Sequence, residues 1–262
     1  MKVYYDASAK TPAWTYSPLK YWPTDGHVDF LAYAPRVDKQ QLTGSSIDFT
    51  VEGDAANQKD LLWANAKGQT KENGKVTFKF NHALSRLGYT VKLNDAYSDV
   101  TIKLNKITLA GSNDGEGTNK AFYKKGTIDL SYTSSTTTSP TTSLWKPSEE
   151  KQDFEWYSGD DQLSKTTPVE NPTTKYLFVI PQKFSASATD QLYVIVNYTI
   201  TYSDGTSVNT KVYKQLDKEF EQGKAYTINL TIGLTPIDFD ADVTPWVDAT
   251  NTNTDINIDS WN

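Results

Sequence analysis

The sequence contains no cysteine, which excludes disulfides, thiol catalysis and cysteine-ligated metal sites. Arginine is nearly as scarce, since Arg36 and Arg86 are its only two examples, and the formal net charge is −6. A nucleic-acid-binding protein usually carries a basic patch of arginine and lysine that contacts the phosphates. We therefore predict no nucleic-acid partner.

Long apolar runs are also missing, and no segment approaches the roughly 20 residues that a membrane-spanning helix needs. The chain begins with Met1 and Lys2 and passes directly into a polar stretch, so no signal peptide is visible. The Ser/Thr/Asn-rich linkers and the excess of lysine over arginine are typical of extracellular proteins. The protein is therefore either cytosolic or exported with its leader trimmed from this chain, and we favour export.

Aromatic residues are abundant, at 13% with 16 Tyr and 7 Trp, and this content argues against a disordered chain. Apolar and polar residues alternate with a period of two through many short segments, which predicts β-strands. Clear examples are residues 28–34, 47–51, 76–80 and 226–234. The only short helix predicted spans residues 54–66. This pattern favours an all-β protein built from β-sandwiches.

A length of 262 residues favours two domains. The polar stretch at residues 94–99 is the predicted boundary, giving an N-terminal sandwich at 1–97 and a C-terminal sandwich at 98–250. The Ser/Thr-rich residues 133–143 cannot bury apolar area and are expected to form an exposed loop. Asp204 and Gly205 predict a hairpin turn between strands at 191–202 and 207–213.

Histidine offers little support for catalysis, because His27 and His82 are far apart and occur in unlike contexts. A Ser–His–Asp arrangement would recruit Ser85, but no nucleophile-elbow pattern surrounds it. A structural hydrogen bond is the favoured role for His82.

Paired carboxylates occur at residues 149–150 and 160–161, and acids alternate at 238, 240 and 242. A surface glycosidase would need two of these carboxyl groups to converge on one cleft. Acids on the outward face of an alternating strand more often form a solvated face or a protected edge. We therefore predict no enzymatic activity and no cofactor.

An oxygen-rich loop at residues 113–117 contains Asn113, Asp114 and Glu116. It lacks the spaced ligands and the terminal bidentate glutamate of an EF-hand calcium loop. An ordinary turn explains it better, so no metal site is predicted.

Four aromatic residues lie in a polar, charged segment beside the Ser/Thr-rich loop: Trp145, Phe154, Trp156 and Tyr157. If exposed at the tip of a sandwich, they would form a platform for stacking on sugar rings or for contacting a protein. The alternative, which we favour, is that they cover the open end of the sandwich.

Several phrases, taken together, resemble the fimbrillin family of Bacteroidales, which contains the FimA/Mfa-like pilins and fimbrillin-like surface proteins. The phrases are YWP at 21–23, VDFLAYAP at 28–35, DLLWA at 60–64, VTFKFNHALSRL at 76–87, FVIPQ at 178–182, GKAYTINL at 223–230, IDF at 237–239 and VTPW at 243–246. No single phrase is specific, but their order and spacing extend over residues 21–247.

The resemblance implies two tandem transthyretin-like β-sandwich domains with little helix. It also implies export as a lipoprotein to the outer membrane or a fimbrium, removal of an N-terminal strand by proteolysis, and polymerisation by strand exchange. The chain departs from the family pattern because it has no lipobox cysteine and no arginine before Arg36. Membrane attachment is therefore expected only through a lipid anchor on the missing leader.

The C-terminal segment, residues 251–262, has the features of a donor strand. Ile256 and Ile258 alternate with polar residues, and Trp261 follows them. A flexible Thr/Asn-rich linker precedes this short strand. The alternatives are a frayed tail or a strand that pairs within its own domain.

These observations predict a non-enzymatic cell-surface protein with a structural and adhesive role. The favoured function is a pilus subunit that joins like or unlike subunits by β-strand exchange. The alternative is a tip or stand-alone adhesin that binds a host or bacterial glycan or protein through exposed aromatic residues.

Overall fold

The computed structural model describes residues 2–8, 13–18, 20–36, 43–73, 75–94, 99–133, 144–172, 175–186, 189–233 and 238–245. The first strands are β1 (Val3–Asp6), β2 (Ala13–Tyr16), β3 (Val28–Ala34), β4 (Ser46–Thr50), β5 (Leu62–Gln69), β6 (Asn81–His82) and β7 (Ser85–Leu93). The next are β8 (Val100–Ala110), β9 (Phe122–Tyr123), β10 (Lys125–Asp129), β11 (Trp145–Pro147), β12 (Lys151–Gln152), β13 (Phe154–Gln162) and β14 (Val169–Glu170). The last are β15 (Leu177–Val179), β16 (Gln182–Lys183), β17 (Leu192–Tyr202), β18 (Ser207–Leu216), β19 (Glu219–Phe220), β20 (Lys224–Ile232) and β21 (Asp238–Pro245).

The predicted all-β architecture is confirmed, since helix in the described residues is limited to two 3₁₀ turns, Ala55–Asn57 and Lys71–Asn73. The predicted helix at 54–66 is therefore wrong over most of its length. Asp54 caps the first turn by accepting from the backbone N–H of Ala56 at 2.9 Å, and β5 begins at Leu62. None of the helices in the described ranges has the length and apolarity needed to cross a bilayer.

Two larger sheets form the body of the molecule. One has the order β13-β8-β17-β18, and the other has the order β14-β7-β20-β21 with β15 also paired to β7. The strands alternate as predicted, and the even-numbered side chains from Leu192 to Tyr198 are buried. Side chains of both sheets join one buried cluster, in which the rings of Tyr89 and Trp156 meet edge to face at 5.0 Å.

Sheet pairing crosses the expected domain boundary at 94–99. β4 pairs with β10, and β7 pairs with β14, β15 and β20, so both strands are bonded to strands that follow residue 98. Residues 95–98 lie outside the described residues. The division into modules at 1–97 and 98–250 stays a prediction, and β7, which precedes its boundary, forms its ladders with strands that follow it.

A third sheet has the order β3-β5-β6 and carries the candidate functional site. β3 and β5 pair antiparallel from Val28↔Gln69 to Ala34↔Leu62, with one register shift near Phe30. β6 adds only the pairs Leu62↔His82 and Trp63↔Asn81. Among the described residues, the outer edge of β3 and most of the second edge of β5 therefore carry no ladder.

The predicted hairpin near Asp204 and Gly205 is confirmed. β17 and β18 pair without interruption from Leu192↔Leu216 to Thr201↔Ser207. Gly205 has a φ of 83°, in the left-handed region that favours glycine. The carboxylate of Asp204 accepts from the backbone N–H and from the hydroxyl of Thr206. The predicted Ser/Thr-rich loop at 133–143 falls outside the described residues except for Thr133.

Candidate functional site

The outer edge of β3 forms no ladder among the described residues. The strand has seven residues, and its recorded pairing is with β5 alone. An edge of this length carries a row of backbone N–H and C=O groups that are ready to pair with an incoming strand. Phe30 and the residues after it in β3 are half-buried, so the edge lies beside apolar side chains rather than in open solvent.

Residues 76–80 form a second feature at the same sheet. The sequence predicts a strand here, and the side chains do alternate, with Val76, Phe78 and Phe80 half-buried and Thr77 and Lys79 exposed. The segment nevertheless joins no ladder within the described part of the chain. It leads directly into β6, which pairs with β5 over only two residue pairs. The strand prediction is therefore correct for the side-chain pattern and wrong for the backbone pairing.

An aromatic cluster connects these two features. The rings of Trp22 and Phe30 meet edge to face at 5.7 Å, those of Phe30 and Phe78 at 6.3 Å, and Phe78 lies 6.2 Å from Phe80. All four side chains are only half-buried. We call this group the aromatic face; it gives the open sheet an apolar surface that is partly exposed.

The other face of the same sheet is fixed to the body of the molecule. The amide of Asn65 donates to the carbonyl oxygens of Leu130 at 2.9 Å and Tyr132 at 2.7 Å. Trp63 on this face is buried and packs near the ring of Tyr132 at 6.2 Å. One face is thus anchored, which leaves the aromatic face and the β3 edge for a partner.

The predicted donor residues Ile256, Ile258 and Trp261 lie outside the described residues, because the description ends at 245. Their role stays a prediction.

The aromatic platform predicted at residues 145–157 is not present as an exposed surface. Trp145 is 2% exposed, Phe154 1% and Trp156 5%, and all three belong to the hydrophobic core. Trp145 donates its indole N–H to the carbonyl of Ala83 at 2.7 Å. Tyr157 is half-buried beside this core, and its hydroxyl accepts from the backbone N–H of Asp161 at 3.1 Å. The reading in which these residues cover the sandwich is the one that matches their burial.

These aromatic residues are buried because residues 154–162 form strand β13, which the sequence pattern did not indicate. β13 pairs with β8 with a register shift between Glu155 and Tyr157. The shift leaves Trp156 as an extra residue, and its side chain enters the core beside Tyr89. A bulge of this kind breaks the alternation that sequence patterns rely on.

His82 pairs with a buried acid. Its Nδ1 lies 2.5 Å from Oδ2 of Asp60, and the His82 side chain is 2% exposed. The Ser85 hydroxyl, which a triad would need, donates instead to the carbonyl of Glu221 at 2.7 Å, and Ser85 is fully buried. This geometry fits a structural hydrogen bond for His82 and leaves Ser85 unsuited to nucleophilic attack.

One acid of each candidate catalytic pair, Glu150 and Asp160, is engaged in an ion pair. Glu150 bonds the ammonium groups of Lys124 and Lys125, each at 2.8 Å, and these bonds lower the pKa of Glu150 to about 2. Asp160 lies 3.5 Å from Lys103 on the exposed outer strand β13. Carboxylates held this way are stabilised as anions, which is the opposite of a raised-pKa general acid.

The loop at residues 111–117 forms a turn that is held by hydrogen bonds to the carboxylate of Asp114. Asp114 accepts from the Ser112 hydroxyl at 2.7 Å and from the backbone N–H groups of Glu116 and Gly117, and these bonds lower its pKa to about 2. Over the described ranges, no group of three or more His, Cys, Asp or Glu side chains is placed to hold a metal ion.

The residues of the aromatic face were missed as a site. Each was assigned to its own strand or phrase, and the contact between Phe30 and Phe78 joins segments 48 residues apart. The period-two spacing of Phe78 and Phe80 is the local signal that could have indicated a shared aromatic surface.

Comparison with known proteins places this geometry in context. A family profile described as fimbrillin-like matches residues 1–246. No curated protein gives a significant match. Among solved structures, a fimbrial protein from Bacteroides vulgatus ATCC 8482 is similar with a TM-score of 0.67 and 21% identity, over 90% of this chain and 82% of that chain. The tip fimbrial protein Mfa3 from Porphyromonas gingivalis, with a C-terminal truncation, has a TM-score of 0.39 and 10% identity, over 77% of this chain and 70% of that chain.

Proposed function

Because this chain belongs to the fimbrillin-like family, we propose that it is a subunit of a cell-surface fibre and assembles by β-strand exchange. The family gives the coarse role, a pilus-related adhesive protein located at the cell surface or in a fimbrium. The finer proposal concerns how one subunit joins the next, and the open edge of β3 is the observation that carries it.

The acceptor would be the sheet β3-β5-β6. A strand laid against β3 would pair with backbone groups that have no ladder partner among the described residues. Main-chain hydrogen bonds supply affinity in such β-augmentation, while alternate side chains fill pockets and set the register. Since one face of this sheet is anchored through Asn65, the incoming strand would bury its apolar side chains on the aromatic face.

The donor would be residues 251–262 of a neighbouring subunit. Ile256 and Ile258 are two residues apart and would therefore point to the same side of an extended strand, with Asp255 and Asn257 on the other. Trp261 lies three residues beyond Ile258, so in a regular strand it would point to the opposite side and contact a different part of the acceptor. The partners are then other pilus subunits, in a homopolymer or a heteropolymer.

Substitution of the donor face tests this arrangement. We expect the double change Ile256→Asp and Ile258→Asp to abolish polymer ladders, because two carboxylates would enter an apolar surface. The matched control is Asp255→Ser with Asn257→Ser, which alters the opposite face of the same strand and should leave the ladders intact. Polymers are scored by electrophoresis of unheated samples from a Bacteroidales host that exports the protein. Unchanged ladders in the isoleucine variant would remove the donor role from this segment.

An adhesin is the second candidate function, but three of its four predicted aromatic contacts, Trp145, Phe154 and Trp156, are buried. A different surface, the outward face of β8, β17 and β18, supports ligand binding.

A further inference from the structure

The sheet β13-β8-β17-β18 has a groove on the face that is turned away from the core. Its volume is about 470 Å³, and β8, β17 and β18 line it. Buried side chains of β17, such as Val194 and Val196, occupy the opposite face. The groove side chains are almost all polar, and amides and hydroxyls outnumber charged groups.

A β-bulge shapes the floor of the groove. β17 pairs with β8 through Asn197↔Lys106 and then through Tyr198↔Leu104, so Asn105 is an extra residue without a partner on β17. Bulges bend a strand and re-aim a side chain. Here the bulge places the amide of Asn105 next to the hydroxyl of Thr199, at 2.8 Å.

Thr199 joins two amides across three strands. Its hydroxyl lies 2.8 Å from Oδ1 of Asn105 on β8 and 2.8 Å from Oδ1 of Asn209 on β18. A hydroxyl carries one hydrogen, so it can donate to one amide, and the other amide must present its NH₂ group to the hydroxyl oxygen. The cluster therefore offers both a spare donor and a spare acceptor. Asn197 adds a third amide for which the described residues provide no hydrogen-bond partner.

The loop at residues 111–117 forms a wall over the same face. Ile195 points to this outward side yet is only 1% exposed, and a side-chain atom placed at Gly115 would lie 3.1 Å from it. The ammonium group of Lys211 donates to the carbonyl oxygen of Asp114 at 2.5 Å, which ties β18 to the loop. The groove thus has a fixed boundary rather than being an open stretch of sheet.

Both lysines that line the groove already have partners. Lys106 pairs with Glu155 at 2.7 Å. Lys211 lies beside the loop that holds the ionised Asp114 carboxylate. Neutral amides and hydroxyls are therefore the groups left to recognise a ligand, which disfavours a strongly anionic one.

One exposed aromatic ring lies on the same outward face, beside the residues that line the groove rather than among them. Tyr213 is the partner of Ile195 in the β17–β18 ladder, one pair of outward-facing residues away from Asn197↔Lys211. It is 50% exposed and is steadied by an edge-to-face contact with Tyr193 at 6.0 Å. Aromatic rings beside hydrogen-bonding groups suit ligands with one apolar and one polar side.

We propose that this groove binds a neutral oligosaccharide. Sugar hydroxyls both donate and accept, so they match the mixed donors and acceptors of Asn105, Asn197 and Asn209 in the groove. The C–H face of a further sugar ring of the same oligosaccharide would stack on Tyr213, outside the groove lining. The proposal does not rest on strand exchange, because the groove lies on a different sheet from β3.

The test uses the full chain on a printed array of neutral and acidic oligosaccharides, followed by calorimetric titration with the strongest neutral one. We expect Asn197→Ala and Tyr213→Ala each to weaken binding roughly tenfold, as the loss of one or two net hydrogen bonds or of one stacking contact would. Matched controls are Asn57→Ala, an exposed amide outside this sheet, and Tyr202→Ala, a tyrosine that is 43% exposed at the far end of β17. Thermal unfolding of every variant checks that the fold is retained.

Two results would overturn the proposal. The first is an array on which the wild-type chain binds no neutral oligosaccharide, including the case in which it binds acidic ones alone. The second is neutral-glycan binding that survives in Asn197→Ala and Tyr213→Ala as well as in the controls, which would place the glycan elsewhere. Normal polymer ladders in Asn197→Ala would separate a failure of this site from a failure of assembly.

Discussion

At the scale of single residues, burial decides which aromatic side chains are structural and which are available to a partner. Trp156 is 5% exposed and packs edge to face on Tyr89. Trp22 and Phe30 are only half-buried although they belong to the same class of side chain. The first group stabilises the sandwich, and the second lies where an incoming strand would cover it.

Trp156→Ala tests the structural role directly. Removing a buried indole leaves a cavity, and we expect the free energy of unfolding to fall by about 3–5 kcal/mol. Denaturant unfolding measures the change, and Tyr21→Ala, at a side chain that is 88% exposed, should stay within about 0.5 kcal/mol of wild type. Equal stabilities for the two variants would contradict the placement of Trp156 in the core.

Some residue roles could be predicted from the sequence and others could not. His82 was expected to make a structural hydrogen bond, and its contact with Asp60 fits that expectation. The partner itself lies 22 residues away, and no local pattern identifies it. A covering role for Trp156 was favoured from the sequence, but strand β13 was not predicted, because a bulge places Trp156 out of phase with its strand.

At the scale of elements, alternation predicts strands well but does not predict their partners. The hairpin β17–β18 was predictable because its turn, Asp204 and Gly205, is a local signal. Residues 76–80 have an equally clear alternation, yet no described strand pairs with them. Residues 62–66 belong to the predicted short helix at 54–66 but form β5, since pairing with β3 outweighs a weak local helical preference.

Gly205→Ala tests the hairpin turn. Gly205 has a φ of 83°, and an L-residue in that region costs about 1–2 kcal/mol although a new Cβ would meet no atom within 4 Å. We expect the free energy of unfolding to fall by that amount. Gly53→Ala is the control, because its φ lies outside the left-handed range and its Cβ would make only an ordinary contact, at 3.5 Å from Gln152. A larger loss in Gly53→Ala than in Gly205→Ala would contradict this explanation.

At the scale of the whole molecule, the fold class and the family were predictable, and the long-range sheet order was not. The phrases that resemble fimbrillins agree with the family match over residues 1–246. β7 and β20 pair in parallel, and their hydrogen-bonded side chains Thr90 and Asn229 are 139 residues apart in the sequence. No local sequence pattern indicates this pairing. A boundary drawn from polar composition at 94–99 therefore cuts across a ladder that only the folded chain reveals.

The absence of cysteine makes the central claim directly measurable, since any disulfide must come from introduced residues. Two differently tagged single-cysteine variants, Ala32→Cys on β3 and Ile258→Cys in the proposed donor, would be produced together in an exporting host and oxidised. Strand exchange brings paired residues of two chains within the roughly 4.4–6.8 Å between Cα atoms that a disulfide requires. The control replaces Ala32→Cys by Val208→Cys, on the exposed edge strand β18. We predict a crosslink that carries both tags for Ala32→Cys with Ile258→Cys, and little or none for the control pair. Equal crosslinking in both pairs would contradict assembly through the β3 edge. So would the absence of crosslinking in either pair while fibres still form.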